Sequence, residues 1–188
     1  VLMTALILGY PPPLTAVQIL WINLVTEGTV TVTLIMEPAE GDEMKSKPIS
    51  PDEPLLTGLL LTRMAFMTPA IAASTFGWMV YRLSVGVPLP QVRTETFTVL
   101  AVCQWFNVLN CRSAHRSALS LSILKNPWLI GGLIVSNLLQ AAVVFLPPLG
   151  QVFHTVPFSL KEVLAIGGVA SLVLWVEELR KLIMRWRE

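Results

Sequence analysis

Four long stretches of the chain contain no Asp, Glu, Lys or Arg: residues 1–26, 64–81, 96–111 and 126–160. A helix needs about 20 mostly apolar residues to cross the hydrocarbon of a bilayer, and prolines and charges divide this chain into segments of that size. Val1–Tyr10 is too short to span and stops at Pro11-Pro12-Pro13, which cannot continue a helix. It reads as the end of a helix cut partway. Full spans follow over Thr15–Met36, Leu55–Tyr81, Thr94–Cys111, Trp128–Leu146 and Ser159–Ile183, the second kinked at Pro69. The pattern predicts an all-α fold, a multi-pass transmembrane helical bundle of five full spans plus an N-terminal partial helix. All of 1–188 forms one membrane domain.

Composition strengthens this reading. Of 188 residues, 54% are hydrophobic and 13% charged, with a mean hydropathy of +0.67; a soluble domain carries roughly 25% charged residues. A chain this short has too little polar sequence to cover so much apolar surface in water. The net charge of +1 gives no basis for nucleic-acid binding. Cys103 and Cys111 match neither a zinc-site nor a redox spacing and are expected to be buried thiols. His115 and His154 fall in loops and are expected to be solvated.

Basic residues set the orientation. Lys45, Lys47, Arg112, Arg116, Lys125, Arg180, Lys181, Arg185 and Arg187 fall on one side of alternating spans, against Arg82, Arg93 and Lys161 on the other. The acidic, proline-rich loop 37–54 and the C-terminus are therefore expected in the cytoplasm, with the chain in the cell membrane. Trp128, Trp175 and Trp186 lie near span ends, where amphipathic rings favour the interface. Glu177 and Glu178 precede Arg180 and Lys181 and read as ion-paired at a helix end.

Glu27 is the one carboxylate expected in the middle of a span. A charge at the bilayer centre costs about 2.5–3.5 kcal/mol on insertion scales, so it needs a cation, a proton, water or a partner. Asn23, Thr26 and Glu27 stand at i, i+3 and i+4, which places them on one face of an α-helix. Amide, hydroxyl and carboxylate oxygens are the hard donors that Ca²⁺, Mg²⁺, Na⁺ or K⁺ prefer. Gly28 follows at once and allows close approach or loosening of the helix. In the third span Gln104, Asn107 and Asn110 form a polar stripe. Gln104 and Asn107 stand open between ligand and interhelical hydrogen bonding, and Asn110 approaches the interface. Asn137 and Gln140 are expected to bond neighbouring helices.

The run Pro13-Leu14-Thr15-Ala16-Val17-Gln18-Ile19-Leu20-Trp21-Ile22-Asn23-Leu24-Val25-Thr26-Glu27-Gly28 closely resembles the sixth transmembrane helix of calcium-type P-type ATPases, with its P-V-Q-L-L-W-x-N-L-V-T-D-G pattern. Glu37-Pro38, Asp42-Glu43-Met44, Lys47-Pro48 and Glu53-Pro54-Leu55 resemble the stretch before helix seven. Gln104 with Asn107-Val108-Leu109-Asn110 is similar to helix eight, and Val176-Glu177-Glu178-Leu179-Arg180-Lys181 to the end of helix ten. The resemblance implies that Asn23, Thr26 and Glu27 bind the transported cation, most simply Ca²⁺. Glu27 stands where the family's calcium pumps usually have Asp, and Gln104 where two-site pumps have Glu. A single calcium site is thus implied, with Na⁺, K⁺, Mg²⁺ and H⁺ still open. It also implies as partners the bilayer, the remaining helices and the cytoplasmic domains of a pump, with Mg-ATP acting only in the full-length protein. The phosphorylation motif D-K-T-G and a Walker-type loop are absent from the sequence, so the chain alone is not expected to be an enzyme. Two rival classes are a secondary transporter or channel segment, for which an inverted repeat is missing, and a truncated, non-transporting membrane scaffold.

Overall fold

The computed structural model of the chain describes residues 1–37, 57–112, 117–118 and 126–186, and every regular element among them is helical. Most of the acidic loop lies outside the described residues, as do Lys45, Lys47, His115, Arg116, Lys125 and Arg187.

Helix α1 (Leu2–Ile7) ends before Gly9, whose φ of +72° only glycine adopts without strain. Helix α2 (Ala16–Met36) starts on a capping box. The Thr15 amide donates to Gln18 Oε1 at 3.0 Å, and the Gln18 amide to Thr15 Oγ1 at 3.4 Å. Helix α3 (Gly58–Ser84) is capped by Thr57 and runs through Pro69 without a break. A turn at Gly86, φ +79°, leads into α4 (Leu89–Cys111). Helix α5 (Pro127–Phe145) begins where Asn126 Oδ1 accepts from the Leu129 amide at 3.0 Å. The short α6 (Pro147–Phe153) and then α7 (Leu160–Ala170) and α8 (Leu172–Arg185) complete the order.

By length and composition, α2 and α5 are long and apolar enough to cross a membrane. Helices α3 and α4, of 27 and 23 residues, are longer but carry charges: Arg63 and Arg82 in the first, Arg93 and Glu95 in the second. The third expected span starts earlier than its charge-free run suggested, because Pro90 fits the first turn of a helix. The fifth is divided at Ser171, whose hydroxyl donates to the Gly168 carbonyl at 2.7 Å. Such back-bonding, beside two glycines of low helix propensity, locally breaks regularity.

Helix α4 is the hub, packing against α2, α3, α5, α7 and α8. Met67, Trp78, Val99, Cys103, Ile166 and Val173 form the core it shares with α3, α7 and α8. Two smaller cores hold the two halves of α2: Leu14 and Ile22 with Phe97, Val143 and Phe153, then Val30 with Val108 and Leu129.

Helix α8 is turned inside out relative to a soluble amphipathic helix. Leu172, Trp175, Leu179, Leu182 and Trp186 face outward, while Glu177, Arg180 and Lys181 are buried. The expected pair is present, with Glu177 accepting from Arg180 Nε and Nη2 at 2.8 Å each and lying 3.3 Å from Arg63 Nε. Glu178 is engaged elsewhere, accepting from the Ala118 amide at 2.7 Å.

Other expectations change. Asn110 is not interfacial but fully buried, donating to the Val173 carbonyl at 3.1 Å, because α8 covers the end of α4. Asn137 bonds its own helix at the Leu133 carbonyl, 2.8 Å, on an exposed face, so it does not link helices. Gln140 does link them. Cys103 is buried as expected, whereas Cys111 is exposed, since it closes α4 where the helix leaves the bundle. His154 is exposed, with a left-handed φ of 53° after α6. Trp128, Trp175 and Trp186 are all exposed.

Candidate cation site

The expected ligands fall on an irregular turn. Residues Ile22–Thr26 form a π-helical segment inside α2, between α-helical Ala16–Trp21 and Glu27–Thr31. A wider turn advances fewer degrees per residue, so the α-helical spacing that would align Asn23 with Thr26 no longer applies. Asn23 is exposed and Thr26 is buried, with 2% of its surface accessible. The backbone of Glu27 opens the next α-helical stretch, and its side chain lies outside the described part. π turns of this kind recur at functional sites because they misalign main-chain oxygens from the helical ladder.

Both flanks of the turn are fastened. On the N-terminal side Gln18 Nε2 donates to the Phe153 carbonyl at 3.0 Å, and Trp21 Nε1 to Gln140 Oε1 at 3.2 Å. The Trp21 ring also packs edge-on against Phe153, 4.9 Å between centroids. On the other side Asn126 Nδ2 donates to the Thr33 carbonyl at 3.3 Å and to Glu37 Oε2 at 2.7 Å. Arg112 Nε donates to Glu37 Oε1 at 2.9 Å.

Asn23 lines a cleft of about 330 Å³ with Leu2, Leu14, Ile22 and Leu100. Leu100 belongs to the face of α4 that continues, at helical spacing, to Gln104 and Asn107, both half-buried. The structure thus brings Asn23 to a cleft that Leu100 lines and Gln104 and Asn107 do not, while Thr26 is buried. The amides of Asn23, Gln104 and Asn107 make no side-chain hydrogen bond among the described residues. Gln18, Asn110, Asn126 and Gln140 are all engaged. No three His, Cys, Asp or Glu side chains among the described residues converge as a metal centre.

A second buried carboxylate escaped the sequence reading. Glu95 is fully buried beside the α3–α4 turn. Arg82 clasps both of its oxygens at 2.7 Å, Trp78 Nε1 donates to it at 3.1 Å, and Gln91 Nε2 at 2.9 Å. Arg82 Nη2 also reaches Glu162 at 2.5 Å, tying α3, α4 and α7 together. The signal available was an Arg and a Glu flanking one short turn, a pairing that the count of charge-free residues does not register.

The clamp at the end of α2 has a pH signature. Burial alone would push the Glu37 carboxyl up, but hydrogen bonds from Arg112 and Asn126 and the Arg112 charge outweigh it and hold it below its ordinary 4.5. A lowered folded value stabilises the protein above the unfolded pKa, and that stabilisation disappears as pH falls through the folded one. Thermal melts in detergent are expected to show a stability loss on acidification below about pH 4.5. Arg112→Gln should shrink that loss; an identical pH profile in the variant would refute the clamp.

The fold and these features define a class, an all-helical bundle with two helices long and apolar enough to cross a membrane, with buried ion pairs and with the Asn23 amide making no hydrogen bond among the described residues. The chain belongs to the family described as "Cation transporting ATPase, C-terminus", which matches residues 11–183. It is 33% identical over 187 residues to the "Probable cation-transporting ATPase F" of Mycobacterium tuberculosis, covering 100% of this chain and 21% of that protein. The "Calcium-transporting ATPase 1" of Schizosaccharomyces pombe is 33% identical over 178 residues, covering 93% of the chain and 20% of the relative. "Calcium-transporting ATPase type 2C member 1" of Mus musculus is 30% identical over 184 residues, covering 98% and 20%. The chain spans about a fifth of the length of these relatives. The resemblance read from Pro13–Gly28 to a P-type cation ATPase is borne out, as the C-terminal membrane region of a type II pump.

Proposed function

We propose that this chain works as the C-terminal membrane region of a complete cation-transporting ATPase, where Asn23, Thr26 and Glu27 supply one side of the transported-ion site. The observation that carries the reading is the π turn at Ile22–Thr26, which holds two of these residues between two fastened flanks. Unengaged amides beside main-chain oxygens and a carboxylate are a hard-oxygen donor set suited to a cation. Gln104 and Asn107 extend the same side from α4. Calcium is the proposed cargo, supported by relatives named as calcium-transporting ATPases.

Five crossings are proposed, by α2, α3, α4, α5 and the α7–α8 pair. Loop 37–54 and the C-terminus face the cytoplasm of the cell membrane, as the distribution of Lys and Arg supports. Helices and domains outside this chain complete the site, bind Mg-ATP and take the phosphoryl group. Phosphorylation there drives transport only if the two states hold the ion with different affinity. Helices α3, α7 and α8, locked by the Arg82 and Glu177 networks, serve as scaffold.

The test is ATPase stimulation of the complete protein across Ca²⁺, Mn²⁺, Mg²⁺, Na⁺ and K⁺ with wild type and Asn23→Ala. A contact worth about 1.5–3 kcal/mol, typical of hydrogen bonds to charge, corresponds to about a 10- to 100-fold higher half-saturating concentration of the stimulating ion in the variant. Equal affinity in both proteins would overturn the ligand role of Asn23; stimulation by another ion would replace calcium.

A further inference from the structure

Gly132 on α5 marks the closest approach at any described glycine. A Cβ built there would lie 2.7 Å from Thr33 Cγ2 and 3.0 Å from the Thr29 carbonyl oxygen of α2. Neither neighbour can move aside easily. The Thr29 oxygen is main chain, and the Thr33 side chain is held by its hydroxyl, which donates to the Val30 carbonyl at 2.6 Å. Asn126 holds the Thr33 carbonyl from the same side. Thr29 reaches further: its own hydroxyl donates to the Val25 carbonyl at 2.6 Å, inside the π turn. A continuous line of contacts therefore runs from the α5 backbone through Thr29 to the main chain between Asn23 and Thr26. The backbone at Gly132 is ordinary helix, so glycine is needed there for space and not for conformational freedom.

We propose that Gly132 is a positioning residue for the cation site: the bare α5 backbone sets where Thr29 sits, and through it the Val25 carbonyl and the π turn. The inference rests on the reading of that turn as the ion-binding segment. A side chain at 132 pushes α2 away, because a packed interface relaxes by moving whole elements when a contact is overfilled.

The experiment measures cation-stimulated turnover, folded yield and melting temperature in the complete ATPase for Gly132→Ala, Thr33→Ser and the double variant, with Asn23→Ala alongside. Thr33→Ser keeps the hydroxyl that bonds Val30 but deletes the methyl that the new Cβ would meet. Gly132→Ala is expected to raise the half-saturating cation concentration about five- to tenfold at unchanged ATP affinity. Thr33→Ser alone should stay near wild type, and the double variant should recover all but about two- to threefold, the remainder coming from the Thr29 carbonyl and from the retained hydroxyl at 3.3 Å. A lower folded yield with unchanged cation affinity would make Gly132 a packing residue only and overturn the proposal. So would a shift that Thr33→Ser fails to relieve. Should Gly132→Ala not accumulate, the double variant carries the measurement, and affinity equal to that of Thr33→Ser overturns the proposal. A normal Asn23→Ala with an intact Gly132–Thr33 rescue would reject Asn23 as a ligand while supporting positioning of the turn.

Discussion

Replacing Glu27 with glutamine in the complete ATPase is expected to raise the half-saturating cation concentration by about a hundredfold, leaving almost no turnover at ordinary cation levels. Glutamine preserves size and one carbonyl oxygen, so the change isolates the charge. Two unit charges 4 Å apart interact by about 4 kcal/mol at an effective dielectric of 20, and a divalent ion doubles this. Even after a discount of two-thirds, the remaining ~2.7 kcal/mol corresponds to about two powers of ten in affinity. Glu27→Asp keeps the charge one methylene shorter and should recover most of the loss. Radiotracer uptake and ion-stimulated hydrolysis provide the readout. Unchanged affinity in Glu27→Gln would remove the carboxylate from the site.

The largest stability effect is expected at Glu177. The side chain is fully buried, shared by Arg180 and Arg63, and adjacent to buried Lys181. Glu177→Ala deletes the carboxylate that both guanidiniums share, a change that costs about 3–5 kcal/mol in buried pairs. At about 2–4 °C per kcal/mol for a chain of this size, the melting temperature should fall by roughly 6–20 °C. A melt within a degree or two of wild type would mean that the pair contributes little. Cation affinity of the protein that still folds should change far less than in Glu27→Gln, which separates scaffold from site.

Much of the architecture was legible because its cause is local. Charge-free runs and prolines predict helices, and α2, α3 and α5 lie where those runs place them. What escaped depends on packing between distant segments. Nothing within residues 22–26 announces a π turn; it forms where Ile22 is buried against one core and Val30 against another. Asn110 looked interfacial until α8 covered it, and Glu95 went unnoticed because only the fold brings Arg82 over it. For the site, the residue types were readable from sequence, but their alignment was not. The register shift that separates exposed Asn23 from buried Thr26 follows from the same packing.

The inverted character of α8 has a consequence for how the protein is made. With Glu177, Glu178, Arg180 and Lys181 within five residues, toward the end of the α7–α8 crossing, this segment inserts poorly on its own until these charges are paired. Its partners wait on earlier elements: Arg63 near the start of α3, which pairs with Glu177, and the Asn110 carbonyl at the end of α4, which accepts from Lys181. Biogenesis should therefore be ordered, with α3 and α4 docked before the last segment settles among them. Until then the nascent chain would hold its final helix loosely at the interface.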